Sequence, residues 1–214
     1  MSKPVVREPL RRNSRSNRAR ILATARQELG RNPDVTLEEI ARAAGVVRRT
    51  LFGHFPGRAA LLEALAEEAS EALRGAVERM PDAEEAPERA FARFILSIWP
   101  VGDRYRLLLA LARQDLGMDR VSEILTPARD EVTAILDRGQ RTGVFHDQLP
   151  ASVLSAALEA LTLSLLESVN TGTWEDDGTR TAVATLVAAG VSDQAATSIV
   201  EGVASEMRAE SFDG

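Results

Sequence analysis

The chain has 214 residues, enough for one ordinary domain or for a small domain joined to a larger one. A composition of 44% hydrophobic and 27% charged residues is that of a globular protein and excludes a fibrous class or disorder as the dominant state. There is no cysteine, which excludes disulfides, thiolate metal sites and cysteine nucleophiles. Six Phe, two Trp and one Tyr leave a core that must be mostly aliphatic. The longest apolar segment, Ala151 to Val169, is interrupted by Glu159 and Glu167, so a membrane span is not expected. The amino terminus is basic but has no apolar run before Ile21, unlike a secretory signal, and a soluble cytoplasmic protein is expected.

The net charge of −6 hides an asymmetry. Residues 1–62 carry 13 Lys/Arg against 5 Asp/Glu, whereas residues 63–214 carry 13 against 27. Such a division points to a basic module that faces a polyanion, attached to an acidic body. Lys3, Arg7, Arg11, Arg12, Arg15, Arg18 and Arg20 crowd the first twenty residues, with Glu8 the sole acid. Residues 1–13 are expected to form a basic, disordered arm, followed by a helix from Arg15 to Leu29 that Gly30 stops.

After the Asn32-Pro33-Asp34 turn, Thr36-Leu37-Glu38-Glu39 has the pattern of a capping box, and the helix it opens ends at Ala44-Gly45. Arg48 to Phe55 forms a further short helix, closed by Pro56-Gly57. A longer helix spans Arg58 to Met80. Pro87 opens another that Pro100-Val101-Gly102 breaks near Trp99, and a separate helix runs from Arg104 to Leu116. Arg120 to Arg141 is helical with a kink or break at Pro127. Ala151 to Val169, Thr179 to Ala189 and Asp193 to Arg208 complete an all-α chain without a convincing strand. The domains expected are a helix-turn-helix unit over 14–57 and a larger helical regulatory and dimerisation body over 58–214.

Two short helices joined by a glycine turn, with small residues Ala41, Ala44 and Gly45 at the crossing and Val46 and Leu51 as apolar anchors, fit the helix-turn-helix arrangement. Its second helix must be exposed to enter a major groove. Arg48 and Arg49 begin that helix, where arginine can bond guanine bidentately, and they are the expected base readers.

The run Thr36-Leu37-Glu38-Glu39-Ile40-Ala41-Arg42-Ala43-Ala44-Gly45-Val46, then Thr50-Leu51-Phe52-Gly53-His54-Phe55, then Arg58-Ala59-Ala60-Leu61-Leu62, resembles the TetR family of bacterial transcription regulators. The resemblance covers about Arg18 to Leu65 and implies a dimeric repressor that binds a palindromic double-stranded DNA operator and is released by a small-molecule effector. By the same resemblance Thr36, Thr50, Phe52, His54 and Arg58 face the DNA backbone, and the positive charge of Arg15 and Arg18 suits phosphates or an adjacent minor groove. Three departures stand out. Val47 replaces the usual Ser or Thr cap, Phe52 replaces a tyrosine, and Gly53 sits inside the recognition helix.

In the body, Leu154, Leu158, Leu161 and Leu165 recur at helical spacing, as do Ile199, Val200, Val203 and Met207 on the last helix. Periodicity alone fits an intrachain core equally well. The resemblance implies that these two helices form a four-helix homodimer interface. It also places Phe91, Phe94, Ile98, Trp99, Tyr105 and Leu108 around an effector cavity, with Gln114 a polar anchor, while for any one of these residues ordinary core packing is the commoner role. No residue pattern names the effector. No cofactor or metal is expected, since His54 and His146 lie in distant segments without a ligand pattern. An enzyme is not expected either: no phosphate loop or nucleophile motif is present, and Glu84-Glu85 and Asp176-Asp177 read as solvated loop acids. The runner-up reading is a helical ligand-binding or protein-binding dimer with weak or lost DNA recognition, which Val47 and Gly53 favour.

Overall fold

The computed structural model describes residues 7–80, 84–115 and 117–210, without the side chains of 7–14, 106–110, 112–115 and 118. Among the described residues there is no strand. The helices are α1 (Arg7–Arg31), α2 (Leu37–Ala43), α3 (Arg48–His54), α4 (Arg58–Glu78), α5 (Pro87–Asp115), α6 (Met118–Arg141), α7 (Ala151–Asn170), α8 (Thr179–Ala188) and α9 (Asp193–Glu210). The chain divides into two compact units, one of Met1–Glu68 with Leu107–Val121, the other of Ala69–Arg106 with Ser122–Gly214.

Two element boundaries differ from expectation, each for a physical reason. Helix α1 starts at Arg7, so the stretch expected as a disordered arm is helical from that residue on. Residues 1–6 lie outside the described part. Arginine is a good helix former, and Pro9 lies in the first turn, where a backbone amide has no intrahelical partner to lose. Pro100 lies inside the continuous helix α5 and Pro127 inside α6. An interior proline removes one backbone hydrogen bond at a cost of about 3 kcal/mol. Burial of Ile95, Trp99 and Tyr105 around Pro100, and of Ile124 and Ala128 around Pro127, offsets it.

The first unit packs Ile21, Leu22 and Ala25 of α1 with Ile40 and Ala41 of α2, Leu51 of α3 and Phe55 just after it. Along α4 this unit continues to Glu68. Leu61, Leu62 and Leu65 are all buried there, and Arg26 pairs with Glu68. Arg120 bonds Glu63 at 2.6 Å and Glu67 at 3.2 Å within the same unit.

The second unit is built around Phe91, Phe94, Ile135, Leu136, Leu154, Leu158, Leu186, Val200 and Val203. Polar groups organise its ends, including acids that read as solvated from the sequence. The Asp176 carboxylate is buried and caps α8, accepting from the amides of Arg180 (3.1 Å) and Thr181 (3.0 Å) and from the Thr181 hydroxyl (2.6 Å). The Thr179 hydroxyl and amide hold the Asp177 carboxyl below its usual range. Glu85 bonds Arg93 at 3.1 Å, and this hydrogen bond raises the arginine's already high pKa. Arg129 grips Glu159 with two bonds of 2.9 Å.

Candidate nucleic-acid interface

Helix α2 begins with a closed capping box. The Glu39 amide donates to the Thr36 hydroxyl oxygen at 3.3 Å, and the Glu39 carboxylate accepts from the Thr36 amide at 2.8 Å. The Thr36 hydroxyl also donates to that carboxylate at 2.7 Å. The bond from the Thr36 backbone amide, followed by that from its hydroxyl, lowers the Glu39 pKa. The Thr36 amide and hydroxyl are thereby both engaged by the Glu39 carboxylate at the start of α2. The box fixes the start of α2, and Gly45 at φ 63° turns the chain toward α3.

Arg58 also has a different partner from the one expected. Its guanidinium donates to the carbonyls of Val35 (3.1 Å) and Pro33 (2.6 Å), clasping the turn that precedes α2. These two bonds tie the start of α4 to that turn.

Helix α3 has Leu51 fully buried and the remainder of its surface outward. Val47, at its cap position, is 69% exposed and makes no side-chain cap bond, as the substitution of a hydroxyl residue by valine requires. Arg48 and Arg49 are exposed on the first turn, Thr50 and Phe52 are half-buried, and His54 is half-buried beside Phe55. Arg48 pairs with Glu38 at 3.0 Å and lies over the Phe52 ring, 5.0 Å from its centroid. Arg15 is exposed, and the guanidinium of Arg18 lies 5.4 Å from the centroid of the buried Phe55 ring. Two cations of α1 and two of α3 therefore stand on the surface of the same unit. No group of three or more His, Asp or Glu suited to a metal occurs among the described residues.

A β-carbon built on Gly53 meets nothing within 4 Å, and its φ is not positive, so packing in the free protein does not require glycine there. Gly53→Ala should stabilise the protein by about 1 kcal/mol, measured by urea denaturation. If the same variant binds DNA more weakly, glycine serves close approach of a DNA backbone.

Residues 21–65 match the family described as bacterial regulatory proteins, tetR family. This is a tetR-family DNA-binding domain. The match contains α2 and α3, the two short helices of the helix-turn-helix arrangement. A comparison with curated protein sequences finds no match. Among solved structures, the chain is similar to a tetR-family regulatory protein from Rhodococcus RHA1 (17% identity, 82% of this chain and 98% of that one, TM-score 0.68). It is similar to an ArpA-like gamma-butyrolactone receptor (19%, 91% and 98%, TM-score 0.69). A third similar structure is SmeT, the repressor of the Stenotrophomonas maltophilia multidrug efflux pump SmeDEF (22%, 80% and 89%, TM-score 0.61). At these identities the likeness shows a shared tetR fold.

Phe91 and Phe94 are fully buried in the hydrophobic core, with Phe91 edge-on to Phe145 at 6.0 Å. Trp99 is buried and donates from Nε1 to the Asp176 carbonyl at 3.3 Å. Tyr105 is buried and Ile98 half-buried, while the side chains of Leu108 and Gln114 lie outside the described residues. A groove of about 560 Å³ opens elsewhere in this unit, between α8 and α9, lined by Val183, Val187, Val200 and Ala204 with Arg180 and Arg208.

Of the expected dimer residues, Leu154, Leu158, Val200 and Val203 are buried in the chain's own core. Leu161, Ile199 and Met207 are partly buried against the same core, and Leu165 is half-buried. The opposite face of α7 presents Val153, Ala156, Ala157, Ala160 and Ser164 to the outside.

Proposed function

We propose that the protein is a dimeric repressor that binds a palindromic operator and releases it when a small molecule binds the helical body. The observation that carries the reading is the exposed first turn of α3, where Arg48 and Arg49 project from a tetR-family helix-turn-helix. Arginines so placed can read guanine O6 and N7 in the major groove. Arg15 and Arg18 on α1 add positive charge that suits phosphate contacts.

Helix α7 supports the dimer. It has the length and composition of a membrane-crossing helix, yet only 22% of that stretch is buried within the chain. One face packs into the core and carries the Glu159–Arg129 pair, while the other offers alanines and Val153. An apolar face of small residues suits close approach of a second helix, and α7 with the partly exposed Ile199 and Met207 of α9 forms the proposed interface. The dimer presents two recognition helices to half-sites about one DNA turn apart.

The gamma-butyrolactone receptor and the efflux-pump repressor among the similar structures support control by a small molecule. The effector is proposed to favour a dimer geometry that no longer fits the operator, so effector and DNA weaken each other's binding by the same factor. Duplexes selected from a random pool by the purified protein should share a palindrome of half-sites about one helical turn apart. A selected site without two-fold symmetry would contradict the dimeric reading.

A further inference from the structure

Glu38 is an acid on the surface of a basic module. Of the other acids in residues 1–62 with described side chains, Glu39 is held in the capping box and Glu28 pairs with Arg31 at 3.2 Å. Asp34 belongs to the turn before α2, where its amide donates to the Asn32 side chain. Glu38 instead reaches across the helix-turn-helix to the first residue of the recognition helix, its Oε1 lying 3.0 Å from Nη2 of Arg48. The side chains remain 46% and 70% exposed, so the pair stands where DNA would approach.

The same guanidinium lies over the face of Phe52, one helical turn further along α3. Phe52 therefore covers one face of the Arg48 plane and Glu38 engages one of its nitrogens. An arginine has five N–H donors, so one ion-pair bond leaves enough for the two-pronged contact to guanine O6 and N7. Either contact alone is weak at an exposed position. Both act on one group, however, and narrow the orientations of a side chain that otherwise loses much rotamer freedom on binding.

We propose that Glu38 is a specificity-determining positioning residue, which with Phe52 sets the orientation of Arg48 for reading one base pair in each operator half-site. This rests on the reading of Arg48 as a base reader. Two roles for Glu38 predict opposite signatures. As a bare negative charge near phosphates, it would weaken binding to every duplex equally. As a positioning residue, it would raise the preference for the correct base at the position Arg48 reads.

The test uses the full chain, the palindromic duplex selected from a random pool, and the set of single-base variants of that duplex. Affinities are measured for the unmodified protein, Glu38→Gln, Phe52→Leu, Arg48→Ala and the Glu38→Gln/Arg48→Ala double variant. Arg48→Ala should flatten base preference at one symmetric pair of positions. Glu38→Gln and Phe52→Leu should each reduce discrimination at those positions by about 3- to 10-fold. Affinity of Glu38→Gln for an unrelated duplex should hold or rise. In the double variant, Glu38→Gln should add no further change in base preference. Glu38→Gln raising affinity for all duplexes by one factor, with discrimination intact, would overturn the positioning role while leaving Arg48 a base reader. If Arg48→Ala changes no base preference, the reading of Arg48 falls, and the proposal with it.

Discussion

Gly139→Ala should destabilise the protein by about 2–4 kcal/mol, a loss well above that of an ordinary surface substitution. A β-carbon at this position in α6 would lie 2.0 Å from Cδ2, 2.4 Å from Cε2 and 2.9 Å from Cγ of Phe145. The ring therefore lies directly against the helix backbone. It is buried and stands edge-on to the fully buried Phe91, so it has no open side into which to shift. Better helix propensity returns about 1 kcal/mol, which is less than the overpacking costs. Ejection of the ring sets the upper bound, because loss of a buried phenylalanine costs about 3–5 kcal/mol. Urea denaturation checks the loss, and Phe145→Leu added to Gly139→Ala should recover part of it. A Gly139→Ala protein as stable as the parent would show that the ring does not rest on Gly139.

Ala160→Arg should leave the chain folded but convert it to a monomer and weaken operator binding by about 100-fold or more. Ala160 is exposed on α7, on the face opposite the core-facing leucines, so the free chain tolerates a longer side chain there. In the proposed dimer, arginine would bring an unpaired charge into an apolar contact, and the two-fold axis would do so twice. Sedimentation velocity reports the oligomer, and titration with the selected palindrome reports the affinity. A variant that stays dimeric with unchanged affinity would move the interface off this face. Circular dichroism separates this outcome from unfolding.

The helix-turn-helix was legible in the sequence because its signals are local. Thr36 and Glu39 lie one turn apart, and Gly45 and Pro56-Gly57 punctuate the helices where the chain turns. The continuation of α5 through Pro100 was not legible, since the burial that outweighs the proline's local cost is tertiary. In α7 the leucine stripe could be read, but periodicity cannot say whether a stripe meets its own core or a second chain. The alanines on the other face gave the complementary signal and were masked by the larger leucines.

Partners of charged side chains were the least legible. Arg58 has the position of a phosphate contact but reaches carbonyls more than twenty residues earlier in the chain. Glu38 and Arg48 are ten residues apart on different helices, and only the angle set by the turn brings them together. Asp176 read as a solvated loop acid because its burial depends on how the start of α8 packs.

In the proposed function, Arg48 and Arg49 of α3 read bases for a two-fold symmetric regulator. Selection of duplexes from a random pool, at two salt concentrations and with the parent, Arg48→Ala and Arg49→Ala proteins, tests it most directly. An enriched palindrome is expected at both salts, with base preference lost at separate, symmetric positions in each arginine variant. Salt-sensitive binding without enrichment, or a palindrome selected equally by both variants, would contradict it.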